Sequence, residues 1–200
     1  MAQSLIVLLH GVHADGANLD PLKDFLLERL PWVAVAAPDA PFMTPLGYQW
    51  FSLDDITKEN RTARIAEARG AFDAVLGRVL AEHGLDDLGR VSLFGFSQGG
   101  MMALDALVSG RWPVASVAGF STRLASPPPF APARAPVLLV HGDDDSVIPS
   151  SETLEADAEL RALGLSVQTH ILHGVDHCIT PEGMRLAAEF FGANLPAPIG

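Results

Sequence analysis

The stretch Arg90-Val-Ser-Leu-Phe-Gly-Phe-Ser-Gln-Gly-Gly-Met-Met-Ala-Leu-Asp-Ala-Leu-Val-Ser109 decides the fold. Its opening is a short, nearly unbroken apolar run, as expected of a strand covered on both faces of a parallel sheet. From Gln98 onward the length and residue choice are those of a helix. Between the two stands Gly95-Phe-Ser-Gln-Gly99, a G-x-S-x-G pattern. Such a pattern arises by chance in a chain of this composition about one time in ten, and the strand–turn–helix setting makes it far more specific. Flanking glycines let the backbone turn without a Cβ clash. The turn lifts the Ser97 hydroxyl clear of the sheet and aims a helix N-terminus at any anion formed there. A glycine-rich helix start with an ordinary N-cap serine is the bland alternative.

Working outward, apolar runs at 4–10, 32–37, 90–96, 113–120, 136–141 and 166–172 alternate with helical segments at 19–30, 55–83, 98–109, 150–163 and 181–192. Ile65, Phe72, Leu76 and Val79 fall on one helical face, and Thr180-Pro181 reads as an N-cap and first helical residue. This alternation predicts an α/β fold: a doubly wound, mostly parallel sheet of about six or seven strands with helices on both faces. We expect a single domain over 1–200, because no repeat or long linker interrupts the chain and the Pro-rich stretch 126–136 is only a stiff surface loop. In such sheets ligands bind outside the carboxyl ends of the strands.

The chain has 200 residues, 48% hydrophobic and 18% charged, an ordinary globular composition. Thirteen basic against 24 acidic residues give a net charge of −11, which argues against nucleic acid or an anionic membrane surface as partner. No apolar run approaches the length of a membrane span, and the first residues do not read as an export signal. With one cysteine, Cys178, no internal disulfide can form, so a cytoplasmic setting is expected.

A serine hydroxyl needs a base to take its proton and a carboxylate to orient that base. The loop His141-Gly-Asp-Asp-Asp-Ser-Val-Ile-Pro149 offers Asp143, Asp144 and Asp145, and Leu172-His-Gly-Val-Asp-His-Cys178 offers His173 and His177. The order Ser…Asp…His is that of a nucleophile-elbow hydrolase. His170 lies inside a strand and His173 at its end, whereas His177 is on the loop above; His177 is the better base, with His173 its rival. Metal-binding spacings are not matched by His10, His13 and Asp15, and neither G-x-G-x-x-G nor a P-loop occurs, so no metal and no nucleotide cofactor is inferred. Cys178 lacks an elbow of its own and reads as a small buried side chain.

These residues resemble the α/β-hydrolase superfamily and, within it, the phospholipase/carboxylesterase family that includes acyl-protein thioesterases. The likeness spans nearly the whole chain: His10-Gly11, Asp15-Gly-Ala-Asn-Leu19, Ala37-Pro-Asp-Ala-Pro41, Trp50-Phe51, Gly95-Phe-Ser-Gln-Gly-Gly100 and the His141-Gly-x-x-Asp145-x-x-x-Pro149 loop. It implies Asp145 as the acid and the backbone N–H groups of Val12 and Gln98 as oxyanion donors. One departure is Val12-His13-Ala14-Asp15, where the family usually continues with glycine; it puts His13 beside the oxyanion hole. The apolar segment 41–53 would supply a substrate wall through Phe42, Met43, Trp50 and Phe51, the alternative being that it only covers a helix–sheet seam. The stretch 121–135 is too short for a lid domain, so the site should be open. The resemblance implies a cofactor-free serine carboxylesterase acting on short- to medium-chain esters, thioesters or lysophospholipids, with a homodimer as the common assembly. The rival is a silent hydrolase-fold binding protein.

Overall fold

The computed structural model describes residues 4–132 and 134–197. In chain order its elements are β1 (Ser4–Leu9), α1 (Asp20–Arg29), β2 (Val33–Ala36), β3 (Phe42–Thr44), β4 (Gly47–Gln49), α2 (Arg61–Glu82) and β5 (Val91–Phe96). These are followed by α3 (Gln98–Val108), β6 (Ser116–Phe120), β7 (Val137–Gly142), α4 (Ser150–Ala162), β8 (Val167–Leu172) and α5 (Pro181–Asn194). Six strands make one sheet in the order β2-β1-β5-β6-β7-β8, every neighbouring pair parallel. The chain winds from β1 to β2 and then resumes on the other side of β1 with β5. The crevice between the carboxyl ends of β1 and β5 is therefore the switch point where a ligand site is expected.

Alternation along the strands builds two cores. Leu5, Val7 and Leu9 of β1 pack with Phe72 and Leu76 of α2, Met102 and Leu104 of α3, and Leu160 of α4. Ile6 and Leu8 face the opposite way, against Leu22 and Leu26 of α1 and Phe191 of α5. Helices therefore cover both faces, and the central strands are almost wholly apolar because neither face meets water, the buried Ser92 and Ser116 hydroxyls of β5 and β6 meeting each other at 2.7 Å.

Two local readings differ from the sequence expectation. The segment 41–53 holds an antiparallel hairpin, β3–β4, tied to the loop after β1 by mutual His13, Ala14 and Tyr48 backbone bonds. Helix α2 starts at Arg61, later than expected, because Thr57 and Asn60 bind each other's backbone N–H groups and turn the chain first. The Thr180 hydroxyl caps α5 by accepting from the Gly183 N–H at 3.1 Å. Residues 121–135 carry no helix or strand among the described residues, in keeping with the absence of a lid. Among the described residues no helix is long and apolar enough to cross a membrane.

Asp105 of α3 is fully buried, an exception in an otherwise apolar helix. Arg69 of α2 grips it with two bonds of 2.8 and 3.0 Å, and Arg111 adds a third at 2.8 Å while also meeting Asp73. Removing one member of such a group leaves sheltered charge unpaired. Asp105→Ala should therefore lose about 3 kcal/mol of stability, read as a fall in the thermal midpoint of roughly 6–12 °C.

Candidate active site

Ser97 joins β5 to α3 with φ 53° and ψ −116°, a conformation that L-residues rarely hold. The neighbours show why the turn needs glycine. A Cβ on Gly95 would come within 2.4 Å of the Gly99 carbonyl oxygen, and one on Gly99 within 2.3 Å of the Leu9 carbonyl oxygen. The elbow is pinned from outside as well: Ser97 N–H donates to the Phe120 carbonyl at 2.8 Å, and the Thr122 hydroxyl donates to the Ser97 carbonyl at 2.8 Å. Ser97 itself is 6% exposed. Among the described residues its hydroxyl has no hydrogen-bond partner.

The close approach of Gly99 to Leu9 and His10 brings the start of α3 against the loop after β1. A Cβ on Gly11 would lie 3.4 Å from Ser97 Cβ, so Gly11-Val12 flanks the serine. Among the described residues the N–H groups of Val12 and Gln98 have no protein acceptor. The Gln98 side chain locks the same corner, accepting from Trp50 N–H and donating to the Phe51 carbonyl, both at 2.7 Å. His13 is turned outward, its ring 3.1 Å from Thr44 on the hairpin, so the departure from the glycine-rich pattern adds no bulk at the serine.

The candidate acid and base come from loops farther along the sheet, beyond β5 and β6. Asp145 sits in the loop after β7, where its Oδ1 accepts from the N–H groups of Val147 and Ile148, each at 2.9 Å. Its Oδ2 lies 2.7 Å from Nδ1 of His177, in the loop between β8 and α5. Burial alone would raise the Asp145 pKa, but the Ile148 N–H, His177 and the Val147 N–H together hold it below the usual carboxylate value. His177 packs against Phe96, ring centroids 4.9 Å apart, which sets the imidazole beside the residue preceding Ser97. No hydrogen bond joins Ser97 to His177. The rival His173 is elsewhere, its ring exposed on the rim and 2.8 Å from Asp143.

Beside His177 opens a cavity of about 350 Å³, lined by Gly11, Val12, Leu19, Leu22, Phe96, Ile179 and Met184, among others. The apolar wall proposed from sequence is arranged differently. Trp50 is 0% exposed, its indole N–H donating to the His10 carbonyl and its ring against Phe72, so it is core and lines nothing. Met43 projects from the hairpin, 79% exposed. Phe42 and Phe51 line a separate cavity with Arg64 and Glu67. Cys178 is exposed on the rim of the His177 cavity rather than buried, and a hydrogen bond with Asp176, helped by burial, pushes its thiol up to about 11. A thiol held protonated is a poor nucleophile. The cavity wall of Leu19, Leu22, Ile179 and Met184 escaped the sequence reading because Leu19, Leu22 and Met184 look like ordinary helix-face apolars and Ile179 is a lone apolar residue before a helix cap. Only their position beside the β1 and β8 strand ends marks them.

The profile of the Phospholipase/Carboxylesterase family matches residues 1–195. The chain belongs to that family. It is 28% identical over 197 residues to the Escherichia coli esterase YpfH, covering 98% of this chain and 84% of that one. To acyl-protein thioesterase 1 of Mycosarcoma maydis it is 27% identical over 220 residues, 96% and 91% of the two chains. The crystal structure of esterase PE8 superposes with a TM-score of 0.85 at 34% identity, covering 97% and 94%. The chain is a serine hydrolase with the α/β-hydrolase fold.

Two buried histidines make the fold pH-sensitive. His10 donates from Nδ1 to the Gly11 carbonyl at 2.7 Å and accepts at Nε2 from Ala40 N–H at 3.0 Å, a set that only a neutral ring satisfies. Burial depresses its pKa and that of His141 below the ordinary 6.5. Each then binds a proton more tightly in the unfolded chain than in the folded one, so stability is full above about 6.5 and falls as the pH drops through it. Urea midpoints should decline from pH 7.5 to pH 5, each group steepening the slope by up to about 1.4 kcal/mol per pH unit. His10→Gln should flatten that decline.

Proposed function

We propose that the protein is a serine esterase that works through an acyl-enzyme, with Ser97 as nucleophile, His177 as general base and Asp145 as the orienting acid. The observation that carries this is the strained elbow, which presents a serine hydroxyl without a partner among the described residues, together with an imidazole packed on the adjoining Phe96 whose Nδ1 is already taken by a carboxylate. His177 Nε2 removes the Ser97 proton as Oγ attacks the ester carbonyl. The Asp145 carboxylate, kept ionised by its N–H donors, favours the imidazolium that results. Negative charge on the carbonyl oxygen is met by the N–H groups of Val12 and Gln98, which have no other acceptor to give up. The imidazolium then protonates the leaving oxygen or sulfur, and a water activated by His177 releases the acid.

Short- to medium-chain esters and thioesters are the substrates this reading favours, drawing on the esterase and acyl-protein thioesterase names of its relatives. The single cysteine fits a cytoplasmic setting. A fluorophosphonate probe tests the assignment: wild type should be labelled and Ser97→Ala should not, with unchanged thermal unfolding as the control. On p-nitrophenyl butyrate, Ser97→Ala should lose about 10⁴-fold or more in kcat. Equal labelling of both proteins, or turnover that survives Ser97→Ala, would remove the serine from the mechanism.

A further inference from the structure

We infer that the cavity beside His177 receives the leaving alcohol of the ester, and that the alcohol it takes is apolar and uncharged. This rests on the triad reading above and extends it to substrate class. Nδ1 of His177 is committed to Asp145 at 2.7 Å, so Nε2 is the nitrogen that exchanges protons with substrate. When the tetrahedral intermediate collapses, the bond from the carbonyl carbon to the alkoxy oxygen breaks. The proton that Nε2 took from Ser97 goes to that oxygen, and a neutral alcohol departs. That oxygen must stand within about 3 Å of Nε2. Whatever it carries extends into the space that His177 itself borders.

That space is the cavity of about 350 Å³, bordered by His177, Ile179, Met184, Leu19, Leu22 and the Gly11-Val12 loop among others. His177 is the one side chain lining it that gains charge in the reaction. His10 is neutral, Asn18 is uncharged and the Cys178 thiol stays protonated. Among the described residues no Arg, Lys, Asp or Glu lines it, so a phosphate, carboxylate or ammonium on the alcohol would find no standing counter-charge on binding. An apolar cavity of roughly 150 Å³ accepts a benzene ring, so this one has room for a hexyl or benzyl group.

Met184, half-buried in the first turn of α5, is the side chain to change. Two ester series separate the alternatives: acetates of methanol, hexanol and benzyl alcohol, and methyl esters from acetate to octanoate. In wild type, kcat/KM should rise from methyl to hexyl and benzyl acetate. Met184→Trp should cut the hexyl-to-methyl ratio by about tenfold or more while the octanoate-to-acetate ratio moves by less than about threefold. Met184→Ala should move the benzyl-to-methyl ratio the opposite way, and it carries the test alone if the Trp variant does not fold. A shift confined to the acyl series would reassign the cavity to the acyl chain and overturn the inference. Two unmoved ratios in folded, Ser97-dependent variants would overturn it as well. Turnover of these esters that does not depend on Ser97 would instead remove the triad reading, and the inference with it.

Discussion

One residue held in a conformation it would not choose organises this site. Ser97 at φ 53° and ψ −116° carries strain of order 1–3 kcal/mol, and such strain persists only where the surroundings leave no alternative. Here they do not. The Gly95 and Gly99 backbones are pressed against the start of α3 and the end of β1, and the peptide groups of Ser97 are bonded to β6 on one side and Thr122 on the other. Relaxing the serine into an ordinary helical start would swing it down toward the sheet and break both bonds. The strain is thus maintained by the packing of three parallel strands, and its product is a hydroxyl with no hydrogen-bond partner among the described residues.

The sheet order explains why the candidate site residues share one rim. Residues 11, 97, 145 and 177 are far apart in sequence, yet each follows the carboxyl end of a strand, β1, β5, β7 and β8 respectively. Parallel pairing in continuous register puts those ends along one rim. Right-handed crossovers send every return through a helix on one face or the other, so the rim stays free of crossing chain. Ser97 and the Gly11-Val12 loop stand at the switch point, and Asp145 and His177 reach toward it from two and three strands beyond β5. The Phe96–His177 contact closes that distance.

Much of this was legible in the sequence because the deciding features are local. The strand–glycine–serine–glycine–helix run from Arg90 to Ser109 needs no tertiary information, and the parallel sheet follows from apolar runs too continuous for a surface strand. The residues 41–53 were harder. Trp50 and Phe51 look like a wall because they are large and lie outside any periodic element, but burial is decided by Gln98, whose side-chain amide spans both of their backbones. No pattern in the sequence announces a bond across 47 or 48 positions. Cys178 was misjudged for a similar reason: a small apolar-like side chain is usually buried, yet the turn that exposes His177 exposes its neighbour too.

The Asp145 carboxylate shows how a buried charge is made tolerable and useful together. Three donors reach it, Val147 and Ile148 N–H on Oδ1 and His177 Nδ1 at 2.7 Å on Oδ2, and the His141 ring lies beside it with Nε2 3.0 Å from Oδ2. His141 Nε2 must carry a proton, because its other contact is the Ile148 carbonyl at 2.8 Å, which can only accept. Burial pushes the pKa of that second imidazole down, against the pull of the carboxylate, so a full positive charge beside Asp145 is disfavoured. In the proposed mechanism a cation there would oppose the positive charge that His177 gains on taking the serine proton. Holding His141 back from charging leaves the field of the carboxylate for the base. The histidine that opens the His141-Gly-x-x-Asp145 loop is in this sense part of the same electrostatic arrangement as the residue four positions later.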